Sequence, residues 1–187
     1  MNKLFLITHP DVVIDPKQAI DEWVLSEKGI DRAKALMNES FWNNISVIYS
    51  STESKAKTVA EMAAHKFGIP IFEKKCLVEI DRSSTGFMPF DEFMIVVNDF
   101  FKNPDKSCKG WETARAAMNR VSECTEQIMQ KHPGENIALV GHGAAFALLL
   151  SYIKGVEPTF DLCQDGVGFV SEIDWDKREI ISMWEKY

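Results

Sequence analysis

Two short runs of apolar residues, far apart in the chain, most constrain the fold. Leu4–Ile7 reads Leu-Phe-Leu-Ile and Ile137–Val140 reads Ile-Ala-Leu-Val, and neither run contains a polar residue. A strand without polar alternation is buried on both faces, which is typical of a parallel sheet covered by helices. We therefore predict an α/β fold, a three-layer sandwich with a mostly parallel sheet and helices on both faces.

Other segments fit alternating strands and helices in one domain spanning 1–187. Further strands are predicted at 47–49 and 69–72, with a hairpin from 167–173 and 180–184. Helices are predicted from Ser26 through an apolar stripe to Phe41, and from the turn after 52 to Phe67, closed by Gly68. Three more are predicted near 90–101, 112–131 and 144–153. Residues 79–110, rich in loop-forming residues, are predicted to be a lid or insertion over the site.

Composition excludes several classes of protein. The formal net charge of −7 argues against non-specific nucleic-acid binding, which needs a basic face. No apolar stretch is long enough to cross a membrane or to serve as a signal peptide. The four cysteines form no CxxC pair, so we expect unpaired thiols in a reducing cytoplasm. The sequence predicts a cytoplasmic protein without nucleic-acid or membrane partners; its oligomeric state is left open.

Two histidines follow the two apolar strands. His9 comes after the first and His142 after the second, between two glycines at a helix start. Ligands of open α/β sheets bind beyond the carboxyl ends of the strands, so the two imidazoles are expected to face one ligand. A helix N-terminus also favours an anion. The pair therefore predicts a site for a small anion.

Five segments, in order along the chain, resemble motifs of the histidine phosphatases, or phosphoglycerate-mutase-like superfamily. The family motifs are Arg-His-Gly, L-T-E-x-G, S-S-P-L-x-R-A-x-Q-T-A, L-x-E and V-S-H-G. The matching segments are Leu6–Pro10, Leu25–Gly29, Tyr49–Ala60, Leu77–Glu79 and Ile137–Gly143.

This resemblance implies phosphoryl transfer from a small phosphorylated molecule to water. His9 would be the nucleophile that forms a phosphohistidine. Glu79 would protonate the leaving group and then activate water. His142 and helix N–H groups beginning at Gly143 would hold the phosphoryl oxygens. Neither a cofactor nor a metal is expected.

The chain departs from the family where the phosphate is clamped. Thr8 and Lys55 stand in place of two arginines, and Pro10 replaces a glycine. A lysine is a point charge without the forked geometry of arginine. Arg82 is the predicted replacement cation, in a loop whose Ser84 is also predicted to bind substrate. Weaker candidates for the cation are Lys109 and Arg115, and rivals of Glu79 are Asp81 and Asp91.

Two other functions stay open at the level of sequence. The loss of arginines also fits a non-catalytic member of the fold that acts as a binding or scaffold protein. Metal-dependent hydrolysis would use His9, Asp11, Glu79 and His142, although no dense ligand motif is present.

Overall fold

The core of the computed structural model, which describes residues 2–187, is a six-stranded sheet in the order β3-β2-β4-β1-β5-β6. Strands β1 to β4 pair in parallel, whereas β5 pairs antiparallel with β1 and β6. The mostly parallel sheet predicted from the sequence is confirmed. The strands are β1 (Lys3–Thr8), β2 (Val47–Ser50), β3 (Ile71–Glu73), β4 (Ile137–Gly141), β5 (Phe169–Asp174) and β6 (Glu179–Lys186).

Helices cover both faces of this sheet, as predicted. The helices are α1 (Glu27–Leu36), α2 (Ser54–Phe67), α3 (Phe90–Lys102), α4 (Ala114–Lys131) and α5 (Gly143–Lys154). Leu4 and Leu6 pack with α4 and α5, while Phe5 and Ile7 pack with α1 and α2. The strand is apolar throughout because successive side chains point to opposite, equally buried faces. No helix within residues 2–187 is both long and apolar enough to cross a membrane.

The segment 79–110 shares a separate hydrophobic cluster with parts of α4 and α5. It contains α3, whose Val96 and Phe100 are buried against Trp111 and against residues of α4. Leu148 of α5 belongs to the same cluster. The segment therefore packs on the face of the sheet that carries α4 and α5.

Local capping explains where the first two helices begin and end. The Ser26 hydroxyl accepts the Gly29 N–H at the start of α1, and Gly68 closes α2 with φ of 67°, both as predicted. The prediction that α1 continues to Phe41 is wrong. The helix ends at Leu36, and Phe41 lies in a separate 3₁₀ turn, Ser40–Asn44, where its half-buried ring stacks on Phe5 of β1 rather than packing as part of a continued helix.

The register of β1 against β4 brings the two predicted histidines together. Thr8 pairs with Gly141 at the carboxyl ends of the strands, so His9 and His142 are the next residues on each. Gly141 has no room for a side chain, since a Cβ would lie 2.7 Å from the Phe146 ring. A larger residue there would have to displace the Phe146 ring.

Two of the four cysteines are paired, so the expectation of four unpaired thiols is wrong. Cys76 and Cys124 form a disulfide with their Cα atoms 6.1 Å apart. The bond joins the turn preceding Glu79 to α4, positions separated by 48 residues and absent from any CxxC pattern. The argument from unpaired thiols to a reducing compartment loses that support.

We expect the Cys76→Ser/Cys124→Ser protein to lose about 3 kcal/mol of unfolding free energy, because the disulfide restricts the unfolded chain. Urea denaturation with and without reductant measures this. Cys163→Ser is the matched control, since Cys163 forms no disulfide. Equal stability of the oxidised parent and the double variant would contradict the prediction.

Candidate active site

His9 is held by backbone contacts on both sides. Its N–H donates to the Gly141 carbonyl at 3.1 Å, and its carbonyl accepts the Gly168 N–H at 3.0 Å. The ring Nδ1 lies 2.9 Å from the Pro10 carbonyl oxygen. A carbonyl only accepts, so Nδ1 carries the proton in this bond. The lone pair of the neutral ring is therefore on Nε2.

The loop after His9 is fixed on α1. The Asp11 carbonyl accepts the Ser26 N–H at 3.0 Å. Gly29 allows this close approach, because a Cβ there would lie 2.0 Å from the Asp11 carbonyl oxygen. Hydrogen bonds from Lys28 and Arg32 lower the pKa of the Asp11 carboxyl to about 2. The Asp11 carboxylate is thus already paired with Lys28 and Arg32.

His142 is fully buried and faces His9. The ring centroids are 5.3 Å apart with planes 67° from parallel. His142 Nε2 lies 2.8 Å from the Ser51 hydroxyl and 3.3 Å from a Glu53 carboxylate oxygen. His142 Nδ1 is buried and has no hydrogen-bond partner within residues 2–187. Buried polar atoms are normally paired, so this nitrogen points to a ligand.

Both rings are neutral at pH 7. Burial lowers the pKa of His9 from 6.5 to about 4, with a smaller contribution from the Lys55 charge. Burial also lowers the pKa of His142 well below its usual range, and His9 and Lys55 act in the same direction. A neutral imidazole at His9 keeps a lone pair available for attack.

Glu79 lies against the N-terminus of α5. Its carboxylate accepts the N–H groups of Ala144 at 3.2 Å and Ala145 at 2.9 Å, and of Ile80 at 3.0 Å. Burial, together with the nearby Glu53 charge, nevertheless raises its pKa above the usual value. In this structure Glu79 is bonded to the N–H groups of Ala144 and Ala145, and a role of the helix N–H groups in holding phosphoryl oxygens stays a prediction.

Arg120 of α4 holds the segment that carries Glu79. Its guanidinium donates to the carbonyl oxygens of Cys76, Val78 and Glu79 at 2.9 to 3.3 Å and pairs with Glu112. The Cys76–Cys124 disulfide fixes the same segment to the same helix. Glu79, the first residue of segment 79–110, is therefore held directly on α4.

Lys55, at one of the family's arginine positions, is buried in a salt bridge with Glu53. Its ammonium also donates to the Ile20 carbonyl at 2.8 Å. Glu53 is 8% exposed and Lys55 is 3% exposed. The positive charge predicted for phosphate binding is therefore paired with a carboxylate of the same chain.

The other residues predicted to bind substrate have separate partners. The Thr8 hydroxyl is bonded to the backbone of Phe169, accepting its N–H at 3.0 Å. The exposed Ser84 donates to the Lys109 carbonyl at 2.9 Å within segment 79–110. Arg82 is partly buried and stacks over the Phe93 ring, 4.9 Å from its centroid. Burial lowers the pKa of Arg82, while the charges of Glu79 and Glu53 oppose this effect.

The weaker candidates and rivals are exposed or paired with other residues. Lys109, Asp81 and Asp91 are exposed. Arg115 forms salt bridges with Asp105 and Glu157. Within residues 2–187, no three His, Cys, Asp or Glu side chains are arranged to hold a metal ion.

Gly143 begins α5, next to the side chain of Gln164. A Cβ at Gly143 would lie 3.1 Å from the Gln164 amide nitrogen. Gln164 Oε1 is buried and unpaired within the described residues 2–187. Nothing in the sequence around Gln164 singled it out, because it lies outside every matched motif.

Glu53 was also missed from the sequence. It contacts Lys55 and His142 and accepts the Glu79 N–H at 2.8 Å. A signal was present: Glu53 stands where the S-S-P-L-x-R motif has leucine, two residues before the lysine that replaces arginine. An added acid beside a replaced base predicts an ion pair.

A protein family and several known proteins are similar to this chain in sequence. The model of the histidine phosphatase superfamily (branch 1) matches residues 15–183, a range that begins after Thr8, His9 and Pro10. Phosphoserine phosphatase 1 of Hydrogenobacter thermophilus (strain DSM 6534 / IAM 12695 / TK-6) is 26% identical over 165 residues, which cover 84% of this chain and 78% of that protein.

Two solved structures share the fold over nearly the whole chain. A phosphoserine phosphatase mutant from Entamoeba histolytica, in complex with phosphoserine, has a TM-score of 0.82 at 18% identity, covering 99% of this chain and 98% of its own. A mycobacterial glucosyl-3-phosphoglycerate phosphatase complexed with VO3 has a TM-score of 0.83 at 16% identity, covering 100% of both chains. At these identities the structures establish the fold alone.

We expect acidification from about pH 6.5 to about 4 to lower the unfolding free energy, because the unfolded chain binds a proton at His9 that the native chain does not. His142 adds to the effect. Urea denaturation across this range, with NMR titration of the imidazole signals, measures it. His9→Gln should flatten the dependence, whereas His65→Gln, at an exposed position, should not. A His9 titration near 6.5 would contradict the prediction.

Proposed function

Because the chain belongs to the histidine phosphatase superfamily, we propose that it transfers a phosphoryl group from a small phosphorylated molecule to water through a phosphohistidine on His9. One observation carries this proposal. The Pro10 carbonyl accepts the Nδ1 proton of a neutral His9, which leaves the Nε2 lone pair beside the second, buried imidazole of His142.

In the proposed reaction, His9 Nε2 attacks phosphorus while the bond from phosphorus to the ester oxygen breaks. Glu79 donates its proton to the departing oxygen, and its raised pKa suits a group that must be protonated first. Water then attacks the phosphorus of the phosphohistidine, Glu79 takes the water proton, and the bond to His9 breaks. The products are the alcohol and phosphate.

Charge stabilisation is assigned to the remaining candidates. Arg82 supplies a cation in the field of Glu79 and Glu53, and Lys55 a second cation already paired with Glu53. In this proposal the Ser51 hydroxyl donates to His142 Nε2, so the ring proton is on Nδ1. His142 Nδ1 and the Gly143 N–H then donate hydrogen bonds to phosphoryl oxygens. Thr8 and Ser84 take part only by exchanging their present partners.

Residues 79–110 are proposed to be the lid that selects the substrate over a single domain, 1–187, since loops on rigid scaffolds carry specificity. The names of the relatives, phosphoserine phosphatase and glucosyl-3-phosphoglycerate phosphatase, support a small phosphorylated substrate. A cytoplasmic location and the absence of a cofactor remain predictions.

A non-catalytic binding protein is the second candidate. The buried Glu53–Lys55 pair favours it, because a cation held by its own carboxylate is a weaker phosphate clamp. Phosphate binding without hydrolysis would support this reading over the first.

We expect a labelled phosphoryl donor to leave acid-labile, base-stable phosphate on His9 in the parent protein. His9→Ala should abolish the label, because the nucleophile is lost. Glu79→Gln should slow turnover by about a hundredfold without preventing phosphate binding, since general acid catalysis contributes at least that much. Rapid-quench labelling measures both. His65→Ala is the control, and full activity of His9→Ala would remove the covalent mechanism.

Arg82→Ala is expected to lower the hydrolysis rate of an aryl phosphate on the order of a hundredfold to a thousandfold, because a positioned charge is removed from the site. Arg115→Ala, whose cation pairs with Asp105 and Glu157, is the control and should remain active. Steady-state kinetics measures the change. A silent Arg82→Ala, together with a large gain in Thr8→Arg/Lys55→Arg, would show that the clamp has decayed instead.

A further inference from the structure

Glu53 is a buried carboxylate at the centre of the site that the proposed reaction does not use. It precedes α2 and is 8% exposed. One oxygen accepts the Glu79 N–H at 2.8 Å and lies 3.3 Å from His142 Nε2, and the other is paired with Lys55. A single side chain thus contacts three residues assigned to catalysis or binding.

The charged groups around Glu53 come from four parts of the fold. Lys55 is on α2, His142 precedes α5, Glu79 lies on the segment held by α4, and Arg82 is on the proposed lid. Two of these groups are cations, one is a neutral ring and one is the proposed acid. Their sum decides how much negative charge the site accepts.

The net charge of these groups is small in the state proposed to react, in which Glu79 is protonated. Lys55 and Arg82 each add one positive charge, and Glu53 removes one. Arg120, which also acts on His142, is paired with Glu112 and adds no net charge. His9 and His142 are neutral, and Glu79 must hold its proton to act as an acid. One net positive charge remains, which balances a phosphate monoanion and leaves a dianion uncompensated.

We propose that Glu53 determines the protonation state of the bound phosphoryl group, so that the site takes phosphate as the monoanion, or as the dianion together with one proton. The inference rests on the proposed function for the place where phosphate binds. Unlike charges on an exposed surface, a carboxylate this buried is weakly screened by water and salt. Glu53 is therefore a specificity-determining residue that acts through charge.

The test is calorimetric titration with inorganic phosphate, in buffers of different ionisation enthalpy, at pH values spanning the second ionisation of phosphate. Above that ionisation, the parent protein should take up about one proton per phosphate, and its affinity should fall about tenfold per pH unit. Glu53→Gln should take up no proton and should bind phosphate about tenfold or more tightly than the parent at the highest pH.

Two further variants separate Glu53 from its neighbours. Glu79→Gln should keep the proton uptake, because it mimics the protonated acid. Glu53→Gln/Lys55→Met has no isolated buried lysine and the same net charge as the parent, so it should also keep the uptake. Glu61→Gln is the matched control, since it removes an exposed carboxylate of α2.

Several outcomes would overturn the inference. These are proton uptake that persists in Glu53→Gln, uptake that disappears in Glu79→Gln, a parent affinity that stays flat or rises with pH, and no phosphate binding by the parent and Glu53→Gln. The titration measures phosphate binding and not turnover, so it can support or contradict the role of Glu53 independently of the proposed phosphatase reaction. A protein that takes up the proton but forms no phosphohistidine would keep the role of Glu53 and lose the reaction.

Discussion

The parallel pairing of β1 with β4 is the interaction on which the site depends. Thr8 lies opposite Gly141, and the next backbone bond joins the His9 N–H to the Gly141 carbonyl. Two imidazoles from distant parts of the chain therefore meet at one end of the sheet without any direct bond between them. The helices on both faces keep this pair of strands buried, and burial in turn makes both rings neutral. The fold thus sets the chemical state of His9 as well as its position.

Around these rings, the charged side chains are paired with other groups of the protein. Glu79 occupies the N–H groups at the start of α5, and Glu53 pairs with Lys55. A buried cation must be paired, because an isolated one costs several kcal/mol. Where the family motif has arginine this chain has Lys55, and the neighbouring Glu53 carboxylate holds its ammonium. If phosphate binds here as proposed, it competes with these groups of the protein, and its charge has to match what they leave uncompensated.

The strands, the helix caps and the placement of His9 and His142 could be predicted from the sequence because they follow from local patterns. Apolar runs specify buried strands, and Ser26 and Gly68 mark helix ends. The contacts of Glu53 with His142 and Glu79, and the Cys76–Cys124 pair, could not, because each depends on partners brought close only by the complete fold. Motif positions drew attention to Lys55 itself, whereas the residue that changes its charge balance stands where the motif has leucine.

Burial and hydrogen bonding at Thr8, the residue before His9, leave little room for an arginine at that position. Thr8 is 1% exposed, and its hydroxyl joins the end of β1 to the backbone of Phe169 on β5. An arginine there would need new space and would leave the Phe169 N–H unpaired, at a cost of about 1–3 kcal/mol. Arg82 is not subject to this constraint, since it lies outside the sheet, in segment 79–110. If Arg82 supplies the charge, the segment proposed to select the substrate also completes the phosphate site.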